Sequence, residues 1–205
     1  MLTTVFADTT VALHVSYLIR SLPAIEPCSL RRALITVLES MNLMNRQQAD
    51  WLARLVGTPS DSVNFSGLTR MEIHGQACIV TDAVTRRLPA PELYAMLARF
   101  AQTEPEKSAG VMGVVDYLCP DSPAGNRAAL TDLVWRRYLP HYYRGGFSYR
   151  DIAKRTHVSK STLARTTEWL DDECDGLELR ALRRLEETFV PHGVCAAISV
   201  QDTFS

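Results

Sequence analysis

Lys160, Ser161, Ala164, Arg165 and Glu168 have the residue types and the spacing to meet the edges of base pairs. Arginine and lysine donate to the O6 and N7 of guanine, carboxylates accept from the amino group of cytosine, hydroxyls do either, and a small apolar side chain accommodates a thymine methyl. Steps of one, three and four residues put such groups on one side of a helix. The chemistry implied is non-covalent: side chains held out from a helix end toward a duplex major groove.

The surrounding residues, 147–170 (FSYRDIAKRTHVSKSTLARTTEWL), have the pattern needed to hold that end in place. Ser148 is suited to cap a short helix with Ile152, Ala153 and Thr156 on its inner face. His157-Val158-Ser159 follows as a tight turn. Ser159 then caps a second helix with Leu163, Thr167 and Leu170 inward, and each cap contributes about 1 kcal/mol where it forms. Ala153 lets the two helices cross closely, and Val158 is a branched residue to bury after the turn. His157 stands where glycine is commonest, since the backbone there often takes positive φ, and histidine tolerates that region better than most residues. Thr166 occupies a position more often aliphatic. Upstream, RAALTDLVWRRYL carries Leu130, Leu133, Val134 and Tyr138 at helical spacing, as a support helix that Pro140 ends. In this arrangement Tyr149, Arg150 and Lys154 lie where a first helix meets phosphates, and Ser159 begins the reading helix. A packing-only pair of amphipathic helices would share parts of the pattern.

Charge supports recognition of an anion. The chain has 22 Lys+Arg against 23 Asp+Glu, a formal net charge of −1, yet eight basic residues and two acids fall between Asp132 and Arg165. A local basic surface on a neutral body suits a specific DNA binder. Arg136, Arg137 and Arg144 are placed to add backbone contacts or simply to be solvated. The acids Asp171, Asp172, Glu173 and Asp175 are expected as a solvated segment rather than a metal site, because consecutive acids diverge around a helix. Trp135, Tyr138, Tyr142 and Tyr143, at helical spacing, are expected in the core.

The rest of the chain also has helical periodicity. Helices are expected over SLRRALITVLESMNLM and NRQQADWLARLVG, with TPSDSVNFSG as a loop. Thr69 and Glu72 have capping-box spacing at the start of TRMEIHGQACIVTDAVTRRL, which Pro89 and Pro91 end. PELYAMLARFAQ and EKSAGVMGVVDYLC follow, then PDSPAGN as a linker. A last amphipathic helix, GLELRALRRLEETF, has Leu179, Leu182, Leu185 and Phe189 on one side. The expected fold is all-α: a helical domain over 1–120, suited to oligomerisation or partner contact, then a helix-turn-helix unit and the terminal helix over 127–190.

Other functions are poorly supported. Cys28, Cys78, Cys119, Cys174 and Cys195 form no CxxC, and the five histidines add no ligand spacing, so neither zinc nor another cofactor is expected. Scattered thiols suit a reducing cytoplasm. The first 23 residues lack the features of a signal peptide and are too short and interrupted to span a bilayer, so no membrane association is expected. No GxSxG, HExxH or phosphate-binding glycine loop occurs, so the chain is not expected to be an enzyme.

Residues 127–170 resemble the helix-turn-helix superfamily, in the three-helix style of sigma-factor promoter-reading domains. The run Tyr143, Arg144, Gly145, Gly146, Tyr149, Arg150, Asp151, Ile152, Ala153 is similar to the C-terminal part of bacteriophage late-gene antiterminators. That resemblance implies a factor that binds double-stranded DNA, loads onto RNA polymerase near a promoter and suppresses termination. Three functions stay open: a sequence-specific transcription regulator, acting as a monomer or homodimer; a phage DNA-packaging component like a terminase small subunit, acting as a ring; and a helical adaptor that binds only protein.

Overall fold

The computed structural model describes residues 4–21, 63–65 and 68–196. The helices expected over 29–57 lie outside the described residues. The fold is all-α. Among the described residues seven α-helices follow in order: α1 Thr9–Ser21, α2 Arg70–Arg87, α3 Ala90–Phe100, α4 Glu104–Leu118, α5 Arg127–Tyr138, α6 Tyr149–Thr156 and α7 Lys160–Phe189. Among the described residues there is no strand, only isolated bridges from Phe6 to Val63 and to Cys195. None of the described helices is long and apolar enough to cross a membrane.

Local signals account for most boundaries. Thr69 and Glu72 form the expected reciprocal capping box at α2, with the Thr69 N–H donating to the Glu72 carboxylate at 2.7 Å. Pro89 caps α3 and Pro91 lies in its first turn, where a missing N–H costs nothing. The stretch 119–126 forms one turn of 3-10 helix, Cys119–Asp121, before Asn126 caps α5. α1 is an element that the sequence pattern did not define, and Asp8 Oδ1 accepts from the Val11 N–H at 2.8 Å in its first turn.

α3 and α4 pack closely because α4 has glycine at the crossing. A Cβ on Gly110 would lie 2.4 Å from the backbone nitrogen of Ala98, and one on Gly113 would lie 2.2 Å from the Tyr94 ring. Two clusters of buried side chains make up the core. The first gathers Phe6, Leu13 and Tyr17 with Val80, Val84, Met96, Phe100, Leu185 and Phe189. The second joins Ala95, Ala98, Val111, Val114 and Leu118 to Leu130, Leu133, Ile152, Leu163 and Leu170, so it draws on both sides of the 119–126 connection.

α7 differs from expectation in length. The second helix of the turn and the terminal amphipathic helix are one continuous helix of 30 residues. Its buried stripe runs through Leu163, Thr166, Leu170, Cys174, Leu177, Ala181, Leu185 and Phe189, in steps of three and four. That register corrects two expectations. Leu179 is 51% exposed, because the stripe set by Leu170 and Leu177 passes on to Ala181. Thr166 is fully buried, where Thr167 was expected inward; Thr167 is half-buried. Each threonine hydroxyl donates to the carbonyl four residues back, at 2.8 Å for Thr166 and 2.9 Å for Thr167. This satisfies the hydroxyl that burial would otherwise leave unpaired.

Candidate nucleic-acid interface

α6 and α7 meet at the three-residue turn His157–Ser159. His157 has φ 58°, the one positive φ at a non-glycine among the described residues, and its N–H donates to the Ala153 carbonyl at 3.0 Å. This left-handed residue ends α6 and turns the chain, as its position suggested. Both expected caps form. The Ser148 hydroxyl accepts from the Asp151 N–H at 3.2 Å, and the Ser159 hydroxyl accepts from the Thr162 N–H at 3.1 Å. Ser161 joins the second cap, with its hydroxyl 3.0 Å from that of Ser159. Val158 packs on the second core cluster beside fully buried Ile152 and Leu163. α5 braces the turn: the Asn126 side chain donates to the Thr156 carbonyl at 3.2 Å.

Most of the expected contact residues face outward. Arg150, Lys154, Ser159, Lys160, Ser161, Arg165 and Glu168 are exposed, and Ala164 is half-buried between them. Tyr149 is also half-buried, because its ring lies under the Arg136 guanidinium, 4.7 Å from centroid to Cζ. Ser161, Arg165, Glu168 and Asp172 follow at steps of four, three and four, so they share one outer face of α7. Beyond Arg165 that face is acidic and would repel phosphate. Only the first two turns of this face are therefore suited to an anion, and the N–H groups of the helix end also favour negative charge there.

The structure divides the eight basic residues of this region into two groups. Arg136, Arg137, Arg144 and Arg155 are used within the protein. Arg136 donates to the Phe147 carbonyl at 2.9 Å, and Arg144 to the Leu139 carbonyl at 2.9 Å. Arg155 bonds the Gly146 carbonyl at 2.9 Å and Asp132 at 2.7 Å. Arg137 pairs with Asp171, with Asp175 at 2.6 Å and with Glu178 at 3.5 Å. Arg137, expected to reach a DNA backbone or stand in solvent, is instead paired with carboxylates, whereas Arg136 and Arg144 are half-buried and bond only neutral carbonyls. Arg150, Lys154, Lys160 and Arg165 form the second group: exposed, with no hydrogen bond or ion pair to the described residues.

The Arg137 network also corrects the acidic segment. Asp171, Asp175 and Glu178, at steps of four and three, converge on one face of the continuous helix, while Asp172 and Glu173 remain exposed. Glu178 is nearly buried, with 5% of its side chain exposed, and accepts from the Tyr138 hydroxyl at 2.9 Å as well as from Arg99. Burial opposes the charge on Arg137, yet its surroundings, Asp171 and Glu178 among them, hold its pKa above the ordinary arginine value. Burial pushes the Tyr138 hydroxyl up, reinforced by Cys174 and Glu178. The i, i+4, i+7 spacing of these acids was the available signal, but it has meaning only once the helix is known to continue through it.

Tyr142 and Tyr143, expected in the core, are 77% and 63% exposed. They lie in a 3-10 turn, His141–Tyr143, after Pro140 has ended α5, so helical periodicity no longer governs them. Trp135 and Tyr138, inside α5, do pack against the second cluster. Among the described residues, no group of three or more His, Cys, Asp or Glu side chains could hold a metal ion.

The arrangement can present four cations and two hydroxyls on an outer surface, while Arg137 and Arg155 are paired with carboxylates and Arg136 and Arg144 are held by carbonyls. No protein-family model matches the chain, and no curated protein is similar to it in sequence.

Proposed function

We propose that the protein is a sequence-specific regulator that binds double-stranded DNA through α6 and the first two turns of α7, working as a helix-turn-helix. The observation that carries this reading is the free group of cations. Arg150 and Lys154 on α6, with Lys160 and Arg165 on α7, are the basic residues of this region left without internal partners. In this reading Arg165 and Lys160 read base edges with Ser161, and Ala164 meets a methyl group. Arg150 and Lys154 hold phosphates, with Ser159 and Tyr149 at the margin. Glu168 marks the inner limit of the footprint, where it can accept from a cytosine amino group. The likeness of the Tyr143–Ala153 run to phage late-gene antiterminators supports a role at RNA polymerase.

The test is selection of binding sites from a random duplex library, followed by gel shifts. Arg165→Ala is expected to weaken the selected site about tenfold or more and to relax one base position, in line with about 1–3 kcal/mol per bidentate contact. Lys154→Ala is expected to weaken all duplexes alike. A library with no enriched sequence would reject the reading, and binding that ignores salt would point to a protein-only adaptor. A large closed ring in solution would favour the packaging role.

A further inference from the structure

A cleft of about 540 Å³ is walled by α3, α5, α6 and α7. Its size falls in the range of small-molecule sites. Arginines contribute from three directions: Arg99 from α3, Arg136 and Arg137 from α5, and Arg144 from the turn after it. The carboxylates in the cleft are the three already paired with Arg137 and Arg99, so the lining holds four arginines against three acids. Arg136 uses one N–H on the Phe147 carbonyl and leaves donors over. The Nε–H of Arg137 is buried and meets no acceptor among the described residues. A buried donor without an acceptor calls for a physical explanation, and a small shift of the side chain toward an acceptor bound in the cleft supplies one.

The geometry points to a site for a small oxyanion-bearing ligand, with Arg136, Arg137 and Arg144 as its donors. Guanidinium groups are suited to carboxylate and phosphate oxygens alike, so a carboxylic acid and a phosphate ester share the required chemistry. The Tyr149 ring beneath Arg136 opens α6, and Thr167 and Asp171 belong to α7. A ligand bound here touches both helices of the proposed reading unit. Resting on the DNA-binding reading, its occupancy sets how α6 and α7 meet a duplex.

The experiment is arginine Nε–H NMR of the full chain titrated separately with inorganic phosphate, adenosine monophosphate and succinate, against sodium chloride at matched ionic strength. Expected are saturable shifts of the Arg136 and Arg137 signals with at least one probe, and half-saturation weakened tenfold or more in Arg136→Gln but not in Arg165→Gln. The first probe to saturate separates phosphate from carboxylate chemistry. Shifts that chloride reproduces, or that never saturate, overturn the site without any need for the variants. A second arm measures the selected duplex with and without the saturating probe. A change in affinity of threefold or more supports coupling, and an unchanged affinity overturns the regulatory role. Because the NMR arm contains no DNA, its failure is distinguishable from failure of the DNA-binding reading.

Discussion

Arg137 Nη2 on α5 lies 2.6 Å from Asp175 Oδ1 on α7, joining residues 38 positions apart. With Asp171 and Glu178, this contact fixes the support helix against the long helix that carries the outward cations. Arg137 is 18% exposed and Glu178 is 5% exposed, so removal of the cation leaves that one carboxylate poorly solvated, while Asp171 and Asp175 keep contact with water. Arg137→Ala is therefore expected to lower unfolding stability by about 1–3 kcal/mol, below the range for breaking a fully buried pair, because Arg99 and the Tyr138 hydroxyl still compensate Glu178. Arg165→Ala, on open surface, is expected to change stability by no more than about 0.5 kcal/mol. Urea denaturation of both variants checks this, and equal losses would contradict the division of the arginines.

The same division makes neighbouring cations on α6 behave differently in salt. Lys154 is without an internal partner, whereas Arg155 is bound to Asp132 and the Gly146 carbonyl. Lys154→Ala is expected to reduce the slope of log affinity against log salt by about 1, the loss of roughly one phosphate contact. Arg155→Ala is expected to leave the slope nearly unchanged. Duplex titrations between low and moderate salt decide between these outcomes.

His157 holds a left-handed backbone that glycine adopts without steric cost. His157→Gly is expected to raise stability by about 0.5–1 kcal/mol: strain relief of about 1–2 kcal/mol, partly offset by the greater freedom of glycine in the unfolded chain. His157→Val is expected to destabilise, since a β-branched side chain resists this conformation. Thermal unfolding of the three proteins gives the order Gly, His, Val from most to least stable.

The cysteines differ in environment. Burial pushes the Cys174 thiol up to about 11 and the Cys195 thiol up to about 12, while Cys78 is exposed on α2. The thiolate is the reactive form, so both buried cysteines are expected to resist a maleimide between pH 7 and 9 in the folded protein. Among the described cysteines Cys78 is expected to react first, and Cys174 and Cys195 only after unfolding. Peptide mapping by mass spectrometry resolves each position.

Much of α6, its turn and the start of α7 was legible because the forces involved act over three or four residues. Ser148 and Ser159 cap helices by bonding N–H groups three positions on, and His157 meets a backbone requirement set by its immediate neighbours. The capping box at Thr69 and the proline boundaries of α3 are of the same kind. The inner face was legible at Ile152, Leu163 and Leu170, where an apolar residue at helical spacing has one favourable side. Periodicity misled at Tyr142 and Tyr143, because Pro140 had already ended the helix whose spacing they appeared to continue.

From sequence alone came the all-α class, the caps, the left-handed turn and the face on which Lys160 and Arg165 stand. Tertiary structure alone decided that α7 continues unbroken to Phe189, that its acids converge on Arg137, and which four of eight cations remain free. Capping and face periodicity are settled by bonds along a single helix, whereas the fate of Arg137 depends on which carboxylates a neighbouring helix brings within reach. Packing between α5 and α7 sets those distances, and it joins positions some 34 to 41 residues apart.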